Sequence, residues 1–247
     1  MIQCQRRSRR RNKIFPIRVS RKLEVCCTSF KDARVAYECG ADRIELCENL
    51  SVGGVTPDND LVRSVILNVE IPVFVLIRAR GGDFNFNEHE VKEMINSIKE
   101  VKTMGAHGIV SGALKECGEI NIEVTKDMVQ MAGPLPFTFH RAFDECADHS
   151  IALSELREIG VDRVLSSGGL VKASENPEKI SELVRDSMDD PRIICCGGVR
   201  SSNILKLLEI EEAIEFHSAA SLCDSGVDAG EVKELSKLIH GDFRLNL

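Results

Sequence analysis

The stretch Pro134-Leu-Pro-Phe-Thr-Phe-His-Arg-Ala-Phe-Asp144 contains the pattern that decides the fold. Phe137, Thr138 and Phe139 favour a β-strand, and the two prolines restrict the backbone that leads into it. Because side chains alternate along a strand, Thr138 and His140 share one face, and the two phenylalanines share the other. Aromatic residues on one face and polar groups on the other are typical of a barrel strand that packs on helices outside and ends at a polar mouth.

Seven further strand patterns alternate with helical patterns along the chain. This alternation predicts a parallel α/β fold, and eight units predict a closed (β/α)8 TIM barrel in a single domain. A doubly wound open sheet is the alternative, but no G-x-G-x-x-G motif follows the first strand. The predicted strands are Leu23–Cys27, Arg43–Cys47, Pro72–Ile77, Gly108–Gly112, the strand around Phe137, Arg163–Ser167, Arg192–Cys196 and Glu215–Ser218.

One turn recurs three times, each time before an even-numbered strand. Gly40-Ala-Asp-Arg43, Gly105-Ala-His-Gly108 and Gly160-Val-Asp-Arg163 each end a helix and lead into a strand. A turn that is used three times predicts one local geometry that is used three times, which supports a barrel of repeated units.

Charge is distributed unevenly over the 247 residues, whose net charge is −7. Residues 1–22 hold nine basic residues and no acid, which leaves 23 basic and 39 acidic residues after them. An acidic barrel argues against nucleic acid as its partner. We predict a basic, disordered N-terminal tail over residues 1–22 and a barrel domain over residues 23–247. The tail composition also fits a targeting segment, a nuclear signal or an RNA-binding arm.

Cysteine usage and hydropathy bear on the compartment. The ten cysteines form no Cys-x-x-Cys pair, and no signal-peptide pattern opens the chain. Such cysteines are typical of reduced thiols in the cytoplasm, with the nucleus as an alternative location if the basic tail is a signal. No apolar run is long enough to predict a membrane span.

Chemistry in a (β/α)8 barrel takes place at the carboxyl ends of the strands. By the parity of the Phe137 strand, Glu24 and Cys26 share the inner face of the first strand, and Glu45 and Cys47 share that of the second. The first two strands are neighbours. We therefore expect each to present a carboxylate below a thiol, with the two thiols side by side.

The first interpretation of these residues is a soft-metal site. Thiolates select copper(I) over hard ions, so Cys26 and Cys47 are the candidate metal ligands. His140 and His217 are candidates for additional ligands. The alternative is that free cysteines in this position are small apolar core residues.

The second interpretation is an enzyme site with a general acid, a general base and an anion clamp. The turn Cys196-Gly-Gly-Val199, expected before a helix N-terminus, is a candidate phosphate site. A buried ion-pair network that serves stability alone is the alternative for the carboxylates. A third interpretation is a scaffold that binds other proteins without chemistry. The candidate catalytic residues are Glu24, Glu45, Arg78, His140, Arg141 and His217.

The chain resembles the CutC family of copper homeostasis proteins from Leu23 to about Ala220. The resemblance implies a cytosolic (β/α)8 barrel, often oligomeric, that is linked to copper tolerance and binds copper(I) through cysteines. Cys26 and Cys47 fall on the cysteines of the motifs that open the family's barrel. The matching segments are Leu23-Glu-Val-Cys26, Gly40-Ala-Asp-Arg-Ile-Glu-Leu-Cys47, Ile71-Pro-Val-Phe-Val75 with Ile77-Arg78, Arg80-Gly-Gly-Asp-Phe84, Pro134-Leu-Pro136, Thr138-Phe-His-Arg-Ala-Phe-Asp144, Ser167-Gly168 and Glu215-Phe-His217.

Three places depart from the family pattern, and one of them is Ser166, which keeps a hydroxyl where threonine is usual. Ala79 stands where a proline is usual, and Cys195-Cys-Gly-Gly198 stands where Pro-Gly-Gly-Gly is usual. A Cβ at Cys196 restricts the approach of the backbone to an anion, which weakens the phosphate interpretation of this turn.

The function predicted from the sequence is copper homeostasis in the cytoplasm, by a homo-oligomer that binds the copper(I) ion through thiolates at the barrel mouth. The alternative is a TIM-barrel enzyme of the isomerase or lyase class that acts on a small anionic or carbonyl metabolite. In that alternative the copper role is indirect.

Overall fold

The computed structural model describes residues 20–188, 190–222 and 226–241. Eight parallel strands follow one another in chain order around a closed barrel, and β8 pairs with β1. The predicted (β/α)8 fold is confirmed. The strands are β1 Lys22–Cys27, β2 Arg43–Leu46, β3 Val73–Leu76, β4 Gly108–Ser111, β5 Phe137–Phe139, β6 Arg163–Ser166, β7 Arg192–Cys195 and β8 Glu215–Ser218.

A helix follows each strand and covers the outside of the barrel. Short 3-10 turns at Leu50–Val52, Arg141–Glu145 and Ala173–Glu175 lie in the loops after β2, β5 and β6. Within the described residues, no helix has both the length and the apolar character needed to cross a membrane. The helices are α1 Phe30–Glu38, α2 Asn59–Asn68, α3 Glu88–Thr103, α4 Ile122–Ala132, α5 His149–Glu158, α6 Pro177–Ser187, α7 Leu205–Leu208 and α8 Ala229–His240.

The first strand begins slightly before the predicted barrel domain. Lys22 is the first residue of β1, and the Arg21 guanidinium donates to the carbonyl oxygens of Leu208 at 2.8 Å and Ile210 at 3.2 Å. Residues 1–19 lie outside the described residues, so the disordered tail stays a prediction.

Apolar side chains form two separate clusters, as the strand alternation requires. Phe137 and Phe139 belong to the large cluster between the strands and the helices. Cys26 and Cys47 belong to a small cluster inside the barrel, with Phe74, Leu76, Val110, Leu165, Ile194 and Cys196. Cys26 and Cys47 therefore face the inside of the barrel, as the alternation of side chains along the Phe137 strand predicts.

Helix capping follows the sequence in most places, with one exception. Ser29 caps α1 and accepts a hydrogen bond from the Asp32 amide, as its spacing predicts. Ser201, Ser202 and Asn203 are residue types that commonly cap helices, but they do not cap α7, because α7 begins at Leu205 and Ile204 precedes it without a side-chain cap. Asn203 instead accepts from the Arg200 amide and donates to the Gly198 carbonyl, so its amide stabilises the turn after β7.

The recurring turn has one structural role in all three places. The third residue of each turn accepts a hydrogen bond from the backbone amide at or near the start of the preceding strand, an arrangement that we call a strand clamp. Its glycine adopts a positive φ, of 100° at Gly40, 95° at Gly105 and 82° at Gly160. The bonds join Leu23 N to Asp42 Oδ2 (2.7 Å), Val73 N to His107 Nδ1 (3.2 Å) and Phe137 N to Asp162 Oδ2 (2.7 Å).

Candidate functional site

The amino ends of the strands hold buried ion pairs inside the barrel. Arg43 at the start of β2 donates to Glu24 of β1 and, at 2.6 Å, to Glu215 of β8. Glu215 also pairs with Arg163 of β6 and Arg192 of β7, each at 3.3 Å. We call these five residues the basal network. It matches the ion-pair alternative for the carboxylates, with Arg43 as the partner that the sequence analysis did not name.

Glu24 is engaged on both sides. Burial alone would raise the pKa of Glu24, but Arg43 and His217 hold it down at about 2. One carboxylate oxygen accepts from Arg43, and the other lies 2.6 Å from Nδ1 of His217. Glu24 is therefore ionised, and it fixes the orientation of the imidazole that reaches toward the mouth.

The two candidate metal ligands lie side by side one layer higher. Cys26 Sγ and Cys47 Sγ are 3.4 Å apart, and both residues are buried. Cys26 is opposite Glu45 in the pairing of β1 with β2. Cys47 lies two residues after Glu45 on the same face, so the two sulfur atoms approach each other diagonally. The hydrogen bond with Cys47, together with burial, raises the pKa of Cys26 well above its usual value. Cys26 is therefore a neutral thiol in the metal-free protein.

Glu45 and His217 continue this group toward the cavity. His217 Nε2 lies 3.8 Å from Glu45 Oε2, and the ligand atoms of Glu24, Glu45 and His217 lie within 4.8 Å of one another. Burial raises the pKa of Glu45. Burial would lower the pKa of His217, but the two carboxylates raise it above its usual value. Three of the candidate catalytic residues are thus in contact with one another.

His140 occupies the opposite side of the mouth as a neutral ring. Burial, reinforced by the positive charge of Arg78, lowers the pKa of His140 to about 3. Its Nδ1 accepts from the Ala142 amide at 3.4 Å, and the Phe84 ring packs 4.7 Å away. Within the described residues, His140 belongs to neither of the two groups whose ligand atoms could hold a metal ion. An additional ligand role for His140 therefore has no geometric support.

Arg78 and Arg200 bring two guanidinium groups to the mouth. Arg78 donates to the carbonyl oxygens of Val52, Gly54 and Gly82, so it ties together the loops after β2 and β3. Arg200 donates to backbone carbonyls after β7 and β8 and to the Ser218 hydroxyl. In the described part of the chain, neither arginine forms an ion pair with a carboxylate. Arg200 was not among the predicted site residues, because nothing in its sequence context separates it from a surface arginine.

Asp144 organises the loop after β6. Arg141 pairs with Asp144 at 3.1 Å and donates to the Ser167 hydroxyl at 2.8 Å. Asp144 also accepts hydrogen bonds from the hydroxyls of Ser166 and Ser167 at 2.7 Å each. Arg141 therefore has an acidic partner that Arg78 lacks. The signal for Asp144 was present in the sequence, three residues after Arg141 in the motif that decides the fold.

These residues surround one cavity of about 280 Å³ at the carboxyl ends of the strands, the mouth cavity. Five of the six candidate catalytic residues line it, and Glu24 lies just beneath. Gly197 and Gly198 also line it, but the expected phosphate turn before a helix N-terminus is wrong, because α7 begins at Leu205 and has four residues. The polar and sulfur-bearing residues that line the mouth cavity are Cys26, Glu45, Arg78, His140, Arg141, Cys196, Arg200, His217 and Ser218.

Comparison with known proteins gives concordant matches. The CutC family model matches residues 21–222. A CutC family protein of Histophilus somni is 40% identical over 224 residues, which are 90% of this chain and 92% of that protein. The human copper homeostasis protein cutC homolog is 43% identical over 206 residues, covering 83% of this chain and 76% of that protein.

Solved structures agree with the sequence relatives. The crystal structure of CutC from Streptococcus agalactiae is 27% identical, has a TM-score of 0.76 and covers 80% of this chain and 97% of that chain. The aldolase QR15, at 13% identity and a TM-score of 0.62, shares the fold alone. On the family model and these relatives together, the chain belongs to the CutC family.

Proposed function

We propose that the protein serves copper homeostasis by binding copper(I) between the thiolates of Cys26 and Cys47, with copper as its cargo. The observation that carries this proposal is the 3.4 Å separation of the two sulfur atoms on neighbouring strands. Copper(I) is a soft ion that prefers thiolates, and two thiolates suffice to hold it. Relatives in human and mouse are named copper homeostasis proteins, which supports the same function.

The donor set fits copper(I) better than it fits a hard ion. The nearest further donor is the Glu45 carboxylate, whose ligand atom lies within 4.8 Å of both sulfur atoms. Carboxylates suit hard ions, so Glu45 is a poor partner for copper(I) and leaves the two thiolates as the preferred ligands. Because β1 and β2 belong to a closed barrel, the thiols are held at this distance by the backbone and not by flexible loops.

Loading the site requires the thiols to lose their protons. The pKa of Cys26 lies well above its usual value in the metal-free protein, so copper(I) must displace the proton of Cys26 as it binds. The apparent affinity should therefore rise with pH. We also propose that the protein works in the cytoplasm, where thiols stay reduced. A homo-oligomeric state remains a prediction.

The test is a copper(I) titration against a competing chelator under anaerobic, reducing conditions. The intact chain should bind one copper(I) tightly, and Cys26→Ser and Cys47→Ser should each weaken binding by more than about 100-fold, since ligand loss exceeds the effect of losing an outer-shell contact. Circular dichroism checks that both variants fold.

Cys196→Ser is the matched control for this titration. Cys196 is also a buried thiol that lines the mouth cavity, but it belongs to none of the clustered donor groups among the described residues. Its replacement should leave the affinity unchanged. Equal affinities for the intact chain and for Cys26→Ser would mean that the two thiols are core residues, and the proposal would fail.

A further inference from the structure

The mouth cavity contains a hydrogen-bond donor that the protein leaves unused. His140 is about 95% buried, with a relative exposure of 5%. Its Nδ1 accepts from the Ala142 amide, so the proton of the neutral imidazole resides on Nε2. Within the described residues, Nε2 has no hydrogen-bond partner. An unpaired buried donor is destabilising, and an acceptor from a ligand would remove that cost.

Positive charge accompanies this donor. Arg78 and Arg200 line the same cavity, and neither forms an ion pair with a carboxylate in the described part of the chain. The rest of the barrel is acidic, with 39 acidic and 23 basic residues after residue 22. Two guanidinium groups without acidic partners, at the bottom of a concave site, favour a negatively charged ligand.

The ligand must supply acceptors and must not be a cation. A neutral imidazole that carries its proton on Nε2 cannot ligate a metal through that atom. Copper bound by Cys26 and Cys47 therefore leaves the features of this side of the cavity unexplained.

We propose that the mouth cavity binds a small metabolite through an oxyanion, a carboxylate or a phosphate, with His140 Nε2–H as donor and Arg78 and Arg200 as the source of positive charge. The cavity volume of about 280 Å³ suits a metabolite of few carbon atoms. The residues that would hold the oxyanion differ from the thiol pair, although Cys26 lines the same cavity, and the proposal goes beyond copper binding. The reaction class, if the site is catalytic, stays a prediction.

Two phenylalanine rings lie beside the imidazole that carries the donor. Nε2 is closed to water in this conformation, and the imidazole lies between Phe84 at 4.7 Å and Phe139 at 5.6 Å. Phe139 is fully buried in the core, whereas Phe84 is half-buried on the loop after β3, with Arg78 stacked on it at 4.4 Å. Phe84 is therefore the less buried of the two rings beside the imidazole, and it lines the mouth cavity on the side from which the proposed oxyanion would approach.

The test is isothermal titration calorimetry of the full chain, without copper, with two probes at fixed ionic strength. Inorganic phosphate represents the phosphate source and pyruvate the carboxylate source, and sodium chloride serves as the reference salt. We expect saturable binding of at least one probe. His140→Phe and Arg200→Gln should each weaken it by about tenfold or more, the effect of losing one hydrogen bond to a charged group.

Controls separate this proposal from general electrostatics and from copper. Arg34→Gln removes an exposed arginine of α1 and should leave binding unchanged. Cys47→Ser removes a proposed copper ligand that is not among the residues lining the mouth cavity, so it should bind the probe like the intact chain, and failure of the copper site and failure of the oxyanion site give different results. Binding of one probe alone identifies the group that is recognised. Absence of saturable binding to both probes, or equal affinity for the intact chain and for folded Arg200→Gln, would overturn the proposal.

Discussion

The two ends of the barrel interior use the same residue types in opposite ways. At the amino end, Arg43, Arg163 and Arg192 all pair with Glu24 or Glu215. At the mouth, Arg78 and Arg200 donate to backbone carbonyls, and His140 keeps an unused donor. In the described part of the chain, each arginine of the amino end therefore has a carboxylate partner, although Arg163 Nε and Nη1 make no hydrogen bond, whereas Arg78 and Arg200 at the mouth have no carboxylate partner.

This contrast shows how a structural charge differs from one that is available to a ligand. A buried ion pair with satisfied hydrogen bonds holds its own elements together and gains nothing from a further partner. A buried donor or cation without an acidic partner keeps a free energy of interaction that a ligand can recover. The presence of an acidic partner, and not residue type or position in the sequence, therefore separates the two classes of arginine.

The largest effect should come from breaking the basal network. Arg43→Met leaves Glu24 and Glu215 buried without their shared partner, so we expect a loss of about 3–5 kcal/mol in the free energy of unfolding. Urea denaturation followed by circular dichroism measures this loss.

The control for Arg43 is an arginine in an exposed pair. Arg34 pairs with Glu38 on α1, and both side chains are more than half exposed. Arg34→Met should cost no more than about 0.5 kcal/mol. Similar losses for Arg43→Met and Arg34→Met would refute the structural role of the basal network.

The second-largest effect should be a pH dependence of the free energy of unfolding, which arises from His140 in the mouth cavity. The unfolded chain protonates His140 near pH 6.5, while the folded protein keeps it neutral down to about pH 3. Between these values the unfolded state binds one more proton, so this residue makes stability fall with falling pH by about 1.4 kcal/mol per unit. Urea unfolding at pH 7, 6 and 5 should show this slope, reduced in His140→Phe.

The basal network should respond in a lower pH range. Glu24 has a folded pKa of about 2 against a usual 4.5, so its contribution to the free energy of unfolding is present above pH 4.5 and is lost as the pH falls toward 2.

The His140 prediction has its own contradicting outcome. An identical slope of stability against pH for the intact chain and for His140→Phe between pH 7 and 5 would show that His140 does not stay neutral.

The smallest effect should come from removing a mouth cation. Arg200→Met leaves no buried carboxylate unpaired, because Arg200 donates to backbone carbonyls and to the Ser218 hydroxyl. We expect a loss of at most about 1 kcal/mol, from the hydrogen bonds alone. Urea denaturation beside Arg43→Met gives the direct comparison, and a loss of 3 kcal/mol or more would place Arg200 in a structural network.

The sequence predicts the barrel and the thiol pair well because both follow from local alternation. Parity within β1 and β2 places Cys26 and Cys47 on the inner face, and the order of the strands makes them neighbours. The recurring glycine turn also predicted one geometry, since a positive φ and a side-chain acceptor are local requirements.

The sequence could not separate the paired charges from the available ones. The partner of Glu24 is Arg43, whose second partner, Glu215, lies 172 positions away along the chain. Arg78 and Glu45 were both candidate catalytic residues on the same sequence criteria. In the structure, Arg78 donates to loop carbonyls, and Glu45 contacts His217. Such pairings depend on which strands close the barrel, and periodicity carries no information about them.

The strand clamps divide the barrel into modules. They bind β1 to β2, β3 to β4 and β5 to β6, whereas the segment before β8, Glu211-Glu-Ala-Ile214, lacks the glycine of the recurring turn. New chain ends between β2 and β3 would leave every module intact, while a cut at Ala41 would sever one. Beside the backbone pairing of β8 with β1, buried ion pairs join Glu215 to Arg43 of β2 and His217 to Glu24 of β1. Three of the four consecutive strand pairs therefore carry a clamp, and the closure of the barrel carries buried charge.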